Sequence, residues 1–164
     1  MIRSCRTYTP PSKDGEGERI LFLRYSALGD ILIVTPYCRA LKERYPRSHV
    51  TWLAYAQYVP FLREQPYIDS VLPWDTSAGE REFFSLLRRV GRERFTRLVS
   101  FHSSDRGALI ALFSKTRLRF CNASKWGALY DTPRDLSFWV AHGRATSASR
   151  SQMEPSAWKV TPVA

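Results

Sequence analysis

Short, nearly continuous apolar runs alternate with longer amphipathic ones along this chain, and that alternation limits the folds open to it. Arg19–Tyr25 (RILFLRY) reads as a strand apolar along most of its length, the pattern of a strand covered on both faces. SALGD follows as a turn signal. From Asp30 to Tyr45, residues Ile31, Val34, Cys38, Leu41 and Tyr45 recur at spacings of three and four, which predicts one helical stripe. Pro36 is placed to kink this helix locally, and Pro46 ends it. The alternation continues. His49–Ala54 (HVTWLA) reads as a strand and Tyr58–Glu64 as a short helix or turn. Ser70–Trp74 (SVLPW) reads as a strand that Pro73 assigns to a sheet edge or strand end. Glu80–Glu93 carries a stripe of Phe83, Leu87 and Val90, and Arg97–His102 (RLVSFH) is a fourth strand. Ser104–Phe113 reads as a helix with Ala108, Ala111 and Leu112 inward, and Leu118–Cys121 as a fifth strand. Strands alternating with helices over short loops imply βαβ units, hence an α/β fold on a mostly parallel sheet with flanking helices.

Length allows one ordinary domain with a real core: 164 residues is short for two. Residues 1–18, with Pro10-Pro11, Gly15 and Gly17, read as a flexible leader, 19–141 as the folded domain, and 142–164, rich in Ser, Ala, Thr and Pro, as a disordered or divergent tail. No apolar run approaches a membrane span, and the N-terminus carries no apolar signal core. Three widely spaced cysteines (Cys5, Cys38, Cys121) and three scattered histidines argue against a disulfide scaffold or a metal centre and suit a reducing cytoplasm. The excess of 25 Lys and Arg over 15 Asp and Glu, a formal +10, calls for an anionic partner: nucleic acid, a phosphorylated small molecule or an acidic membrane surface. No nucleic-acid recognition motif accompanies the charge.

In parallel α/β sheets, ligands bind outside the carboxyl ends of the strands. That directs attention to Ser26–Asp30 after the first strand and to His102–Arg106 after the fourth. Gly29 removes a Cβ where the backbone turns sharply or approaches a ligand, and the start of the following helix is a natural anion site. The segment is neither G-x-G-x-x-G nor a Walker A loop. Asp30 has two readings that coexist: a helix cap or first-turn acid, and a general base at the crevice. His102 reads equally as a packed strand-end residue or a site residue, and Arg106 as a solvated helix residue or a clamp for carboxylate or phosphate. Trp52 and Trp74 read as packing rather than sugar platforms. The run Arg88, Arg89, Arg92 and Arg94 reads as a wet helix face, with anionic lipid headgroups as its functional alternative.

The words RILFLRYSALGDILIVTPYCRALKERYP, residues 19–46, combine a strand, S-x-L-G-D, T-P and R-A-L-K-x-R-Y-P. With HVTWLA, FLREQPYIDSV and LVSFHSSDRGALIALFSKTRLRF, they make residues 19 to 121 similar to the N-terminal domain of glycosyltransferase family 9, the ADP-heptose:lipopolysaccharide heptosyltransferase family. The resemblance implies a Rossmann-like sheet forming the acceptor-binding half of a GT-B fold, and a chain about twice this length for a complete member. It implies transfer of a heptose or related sugar from a nucleotide-sugar, ADP-heptose above all, to a lipopolysaccharide-core type acceptor. No metal or other cofactor is expected, and neither is nucleic acid. The expected setting is the cytoplasm, peripheral to the inner membrane. By the same resemblance Asp30 is the general base, and Ser26, Leu28, Gly29, His102 and Arg106 are the substrate-binding residues. The chain departs from the family pattern D-x-H/Q-G-x-x-R/K-S at Ser100, Ser103 and Gly107. The donor-binding half has no counterpart here, so two other readings stand: a non-catalytic remnant or partner-dependent half domain, and, further off, a basic nucleic-acid-binding domain.

Overall fold

The structure is a computed structural model that describes residues 13–102, 104–116, 118–121 and 129. Its elements run β1 (Arg19–Leu23), α1 (Leu28–Arg44), β2 (His49–Tyr55), a 3-10 turn (Ala56–Tyr58), α2 (Val59–Arg63), β3 (Ser70–Trp74), α3 (Gly79–Arg92), β4 (Arg97–Ser100), α4 (Asp105–Phe113) and β5 (Leu118–Cys121). The five strands form one parallel sheet in the order β3-β2-β1-β4-β5. This is a Rossmann-like α/β fold, as the alternation of runs predicts. Strand and helix ends fall within two residues of the sequence reading, the usual fraying of element boundaries.

β1 is the centre of the sheet. It pairs with β2 from Arg19–His49 to Leu23–Leu53 and with β4 from Ile20–Arg97 to Leu23–Ser100. Ile20, Leu21, Phe22 and Leu23 are all buried, which is why this strand carries no polar alternation. β3 lies at an edge, where Pro73 pairs opposite Ala54 and its missing N–H leaves no interior ladder unmade. Trp52 and Trp74 are both buried, Trp52 stacked on Phe22 at 5.5 Å and Trp74 edge-on to Tyr25 at 5.0 Å, so both are packing residues.

The helical stripe of α1 is observed, with Ile31, Val34, Cys38, Leu41 and Tyr45 buried. Pro36 sits inside the helix, which continues through it. Proline withholds an N–H from the carbonyl of Leu32, and the Thr35 hydroxyl donates to that same carbonyl at 2.8 Å. In α4 one inward assignment is corrected. Leu112 is 47% exposed, while Gly107, Ala108, Ile110 and Ala111 are buried. The helix approaches the sheet on its small residues. Because it is apolar nearly all round, hydropathy alone does not reveal which side that is.

Residues 13–18, assigned from the sequence to a leader, are tied to the domain. Arg47 bridges to Asp14 and Glu16. Glu18 accepts from Arg97 Nε and Nη2, both at 3.0 Å, and from the Thr96 hydroxyl at 2.5 Å. Residues 1–12 of that leader and the tail from 142 lie outside the described residues, as do Trp126 and Trp139. Burial pushes the Glu18 carboxyl up, but the hydrogen bonds from Arg97 and Thr96 and the Arg97 charge outweigh it and hold the group below its ordinary value.

Glu18 therefore stabilises the fold fully above the carboxyl pKa of the unfolded chain, and this stabilisation is lost as pH falls through the lower folded value. Removing it takes the carboxylate away from the buried Arg97. Urea unfolding of Glu18→Ala at neutral pH is expected to show a loss of about 3–5 kcal/mol, and a loss below about 1 kcal/mol overturns this account of the pair.

Candidate functional site

The strand order reverses at the β1–β4 junction: the chain steps from β1 outward to β2 and β3, then returns to the other side of β1 for β4. The carboxyl ends of β1 and β4 meet at this switch point, the place where open α/β sheets bind ligands. The two loops selected from sequence become neighbours at this point, with Phe101 N–H donating to Leu23 O at 3.0 Å.

The loop after β1 enters α1 through a turn whose Ser26–Ala27 peptide bond is cis. Ala27 is the cap residue and has no side-chain acceptor. Asp30, the third residue of the helix, reaches back instead, and its Oδ2 accepts from Ala27 N–H at 3.3 Å, half of a capping box. The first-turn reading of Asp30 is thus realised, and it does not compete with the other. The carboxylate is 47% exposed and ion-paired through the same Oδ2 with Arg24 Nη2. The Ala27 hydrogen bond, then the Arg24 hydrogen bond and charge, hold its pKa below the usual carboxylate range against the opposing effect of desolvation. Asp30 is an anion across the neutral pH range.

Ser26 lies half-buried in the turn, and Leu28 and Gly29 are exposed on the first turn of α1. Apart from its chain neighbours and its own helix backbone, a Cβ on Gly29 would meet no atom of the described residues within 4 Å. The fold itself does not require this glycine, contrary to a sharp-turn role. Leu32 and Ile33 are also exposed, so the helix start carries apolar side chains around the one carboxylate.

On the other wall, His102 packs its ring against Tyr25 with centroids 3.9 Å apart. Its Nδ1 is buried and has no hydrogen-bond partner among the described residues. Burial, then the Arg24 charge, push the imidazole below its ordinary value, while Asp30 pulls it up. Ser104 caps α4, its Oγ accepting from Gly107 N–H at 3.0 Å, and the same oxygen hydrogen-bonds the Tyr25 hydroxyl. A Cβ at Gly107 would lie 3.2 Å from His102 O and 3.2 Å from Ser104 Oγ. A side chain at this departure from the family pattern would thus be tight against the loop, and another departure, Ser100, is buried with its Oγ donating to His102 O at 3.0 Å. Arg106 does not join Asp30 or His102 in these contacts. Its guanidinium lies over Trp74 and Phe83, at 5.6 and 5.4 Å from the ring centroids, and pairs with Glu80 of α3.

The sequence reading missed Arg24. Its Nη1 donates to Phe101 O, its own carbonyl accepts from Trp52 Nε1 at 2.9 Å, and it ion-pairs with Asp30. The available signal was a cation closing an otherwise apolar strand immediately before the turn. Among the described residues no three His, Cys, Asp or Glu side chains gather to hold a metal, and no helix is long and apolar enough to cross a membrane. Cys38 is a buried free thiol, and Arg89 of the basic run is engaged with Glu82 and Pro73 O.

An open parallel α/β sheet with an acid at its switch point belongs to the class of domains that bind ligands at the carboxyl ends of their strands. No family model matches the chain. Over 100 residues it is 24% identical to the lipopolysaccharide core heptosyltransferase OpsX of Haemophilus influenzae, covering 61% of this chain and 28% of that protein. It superposes on a glycosyl transferase family 9 structure from Veillonella parvula with a TM-score of 0.58 at 18% identity, over 63% of this chain and 31% of that one. It superposes on E. coli ADP-heptose lipopolysaccharide heptosyltransferase II with a TM-score of 0.53 at 23% identity, over 63% and 30%. These findings support a relation of the chain to glycosyltransferase family 9. The chain spans less than a third of the length of each of these relatives.

Asp30→Asn removes the anion that favours protonated His102. The His102 midpoint, followed by imidazole carbon shifts in NMR, is expected to fall further below its wild-type position. A midpoint that rises shows that the two loops do not meet as described.

Proposed function

We propose that this domain is the acceptor-binding part of a family 9 glycosyltransferase, which transfers a heptose or related sugar from a nucleotide-sugar, ADP-heptose above all, to a lipopolysaccharide-core type acceptor. The observation that carries the reading is Asp30, an ionised, accessible carboxylate at the β1–β4 switch point, on the position that the S-x-L-G-D resemblance gives to the base. In the reaction the acceptor hydroxyl attacks the anomeric carbon of the donor sugar. The new C–O bond forms as the bond to the departing nucleoside diphosphate breaks, with inversion, and the hydroxyl proton passes to the Asp30 carboxylate. A weakly basic carboxylate suffices because the hydroxyl becomes acidic as its oxygen bonds to carbon. His102, Ser26 and the exposed backbone at Leu28 and Gly29 line the approach, and open space over Gly29 suits close contact with a ligand. Arg106, already paired with Glu80, serves an acceptor anion by exchanging that partner. The net charge of +10 suits a phosphorylated glycolipid at an anionic inner-membrane surface. No metal or other cofactor has a role in this scheme.

A second reading is a half domain that holds the glycolipid and turns over only with a partner. Two measurements separate the readings. Incubation of the chain with ADP-heptose and a truncated core glycolipid, read by mass spectrometry, is expected to give a product heavier by one heptose residue, and Asp30→Asn to slow it by about 10²–10⁴-fold. Calorimetric titration with ADP-heptose tests the donor site. Glycolipid binding without donor binding favours the half domain. Transfer at the wild-type rate by Asp30→Asn removes Asp30 from the base role, and failure to bind either substrate removes the family 9 reading for this chain.

A further inference from the structure

We propose that Arg24 is a positioning residue for Asp30: by tying the end of β1 to the end of β4 and gripping Asp30 through Oδ2, it leaves Oδ1 as the oxygen that receives the acceptor proton. The inference rests on the reading of Asp30 as the base and names the residue on which that base depends.

The geometry has three parts. First, Arg24 is itself fixed. Its carbonyl accepts from the buried Trp52 indole N–H at 2.9 Å, and its side chain is only 18% exposed. Second, its guanidinium spans two elements, with Nη1 donating to Phe101 O beyond β4 and Nη2 on Asp30 in the first turn of α1. A planar fork with two separated donors can hold both partners at once, which one ammonium does less well. Third, the two donors to Asp30 among the described residues, Ala27 N–H and Arg24, both address Oδ2, and none addresses Oδ1. The carboxylate is therefore anchored at one oxygen and accessible at the other, with no described protein donor competing for the incoming proton.

The charged groups that meet in this corner are Arg24, Asp30 and His102.

The test uses the full chain and three variants, Arg24→Gln, Arg24→Lys and Asp30→Asn, with the Asp30 carboxyl carbon followed by NMR titration and transfer followed against pH. Arg24→Gln is expected to raise the Asp30 midpoint, to move the acid limb of the kcat profile upward with it, and to lower kcat by roughly 10- to 100-fold with little change in KM. Arg24→Lys keeps the cation and the fold, and is expected to restore most of the midpoint but only part of kcat. In an Asp30→Asn background, Arg24→Gln is expected to add little further loss, because the two residues act as one unit. An Asp30 midpoint that is the same with Arg or Gln at position 24, or a Gln variant with wild-type kcat, overturns the proposal. A wild-type chain that transfers no sugar while Arg24→Gln still shifts the Asp30 midpoint removes transfer by this chain alone and supports the anchoring of the carboxylate.

Discussion

Everything in this domain hangs on β1 being paired on both sides. With β2 along one edge and β4 along the other, its backbone donors and acceptors are used in the two ladders and its apolar side chains are covered above and below. A strand in that situation has no solvent face, and burial of Ile20, Leu21, Phe22 and Leu23 contributes to the apolar area removed from water. The pairing also decides where chemistry can happen. The connection after β1 leads to β2 and the connection after β4 leads to β5, on opposite sides, so their carboxyl ends are not covered by the same connection.

The polar contacts at that switch point follow from its position. Residues just past β1 and β4 leave the ladders with unmet hydrogen-bonding groups in a partly buried place. Arg24 and Phe101, Tyr25 and Ser104, and Ser100 and His102 meet those needs locally. The same contacts stiffen the two loops against each other, so a carboxylate on the first turn of α1 is presented from a firm base rather than from a free loop. At the opposite end of the sheet, Glu18 with Arg97 and Thr96 closes the amino ends of β1 and β4, so both ends of this strand pair carry an Arg-carboxylate contact. One is shielded and structural. The other is half open to solvent.

Much of this is legible in the sequence. The apolar run of Arg19–Leu23, the stripe of α1, the edge assignment of β3 through Pro73 and the inward Phe83, Leu87 and Val90 follow from periodicity and from proline chemistry, which act within a few residues. Leu112 misleads because α4 is apolar on nearly every side. Its packed side is chosen by the small residues Gly107, Ala108 and Ala111, which admit close approach to the sheet. Residues 13–18 mislead because Pro and Gly signal irregular backbone, and irregular backbone can still dock through Glu18 and Asp14. In the candidate site, Asp30 is visible as an acid at a strand-to-helix turn, but its partner is not, since Arg24 reads only as the last charge of a strand.

The α/β class, the order of the elements and the two loops where a ligand would bind are all written in the chain, because hydrophobic period and turn chemistry are local properties. Which strand lies beside which is settled by the folded sheet, and with it the company each polar side chain keeps. Arg24 meets the carbonyl of Phe101, 77 residues further along the chain, only because β4 returns to the side of β1 that β2 leaves free. Arg106 meets Glu80 rather than the switch point because α3 and α4 pack together. Contacts of that range depend on strand order and register, which no local pattern encodes, and they are what turn an acid in a turn into an anchored, ionised carboxylate at the mouth of the sheet.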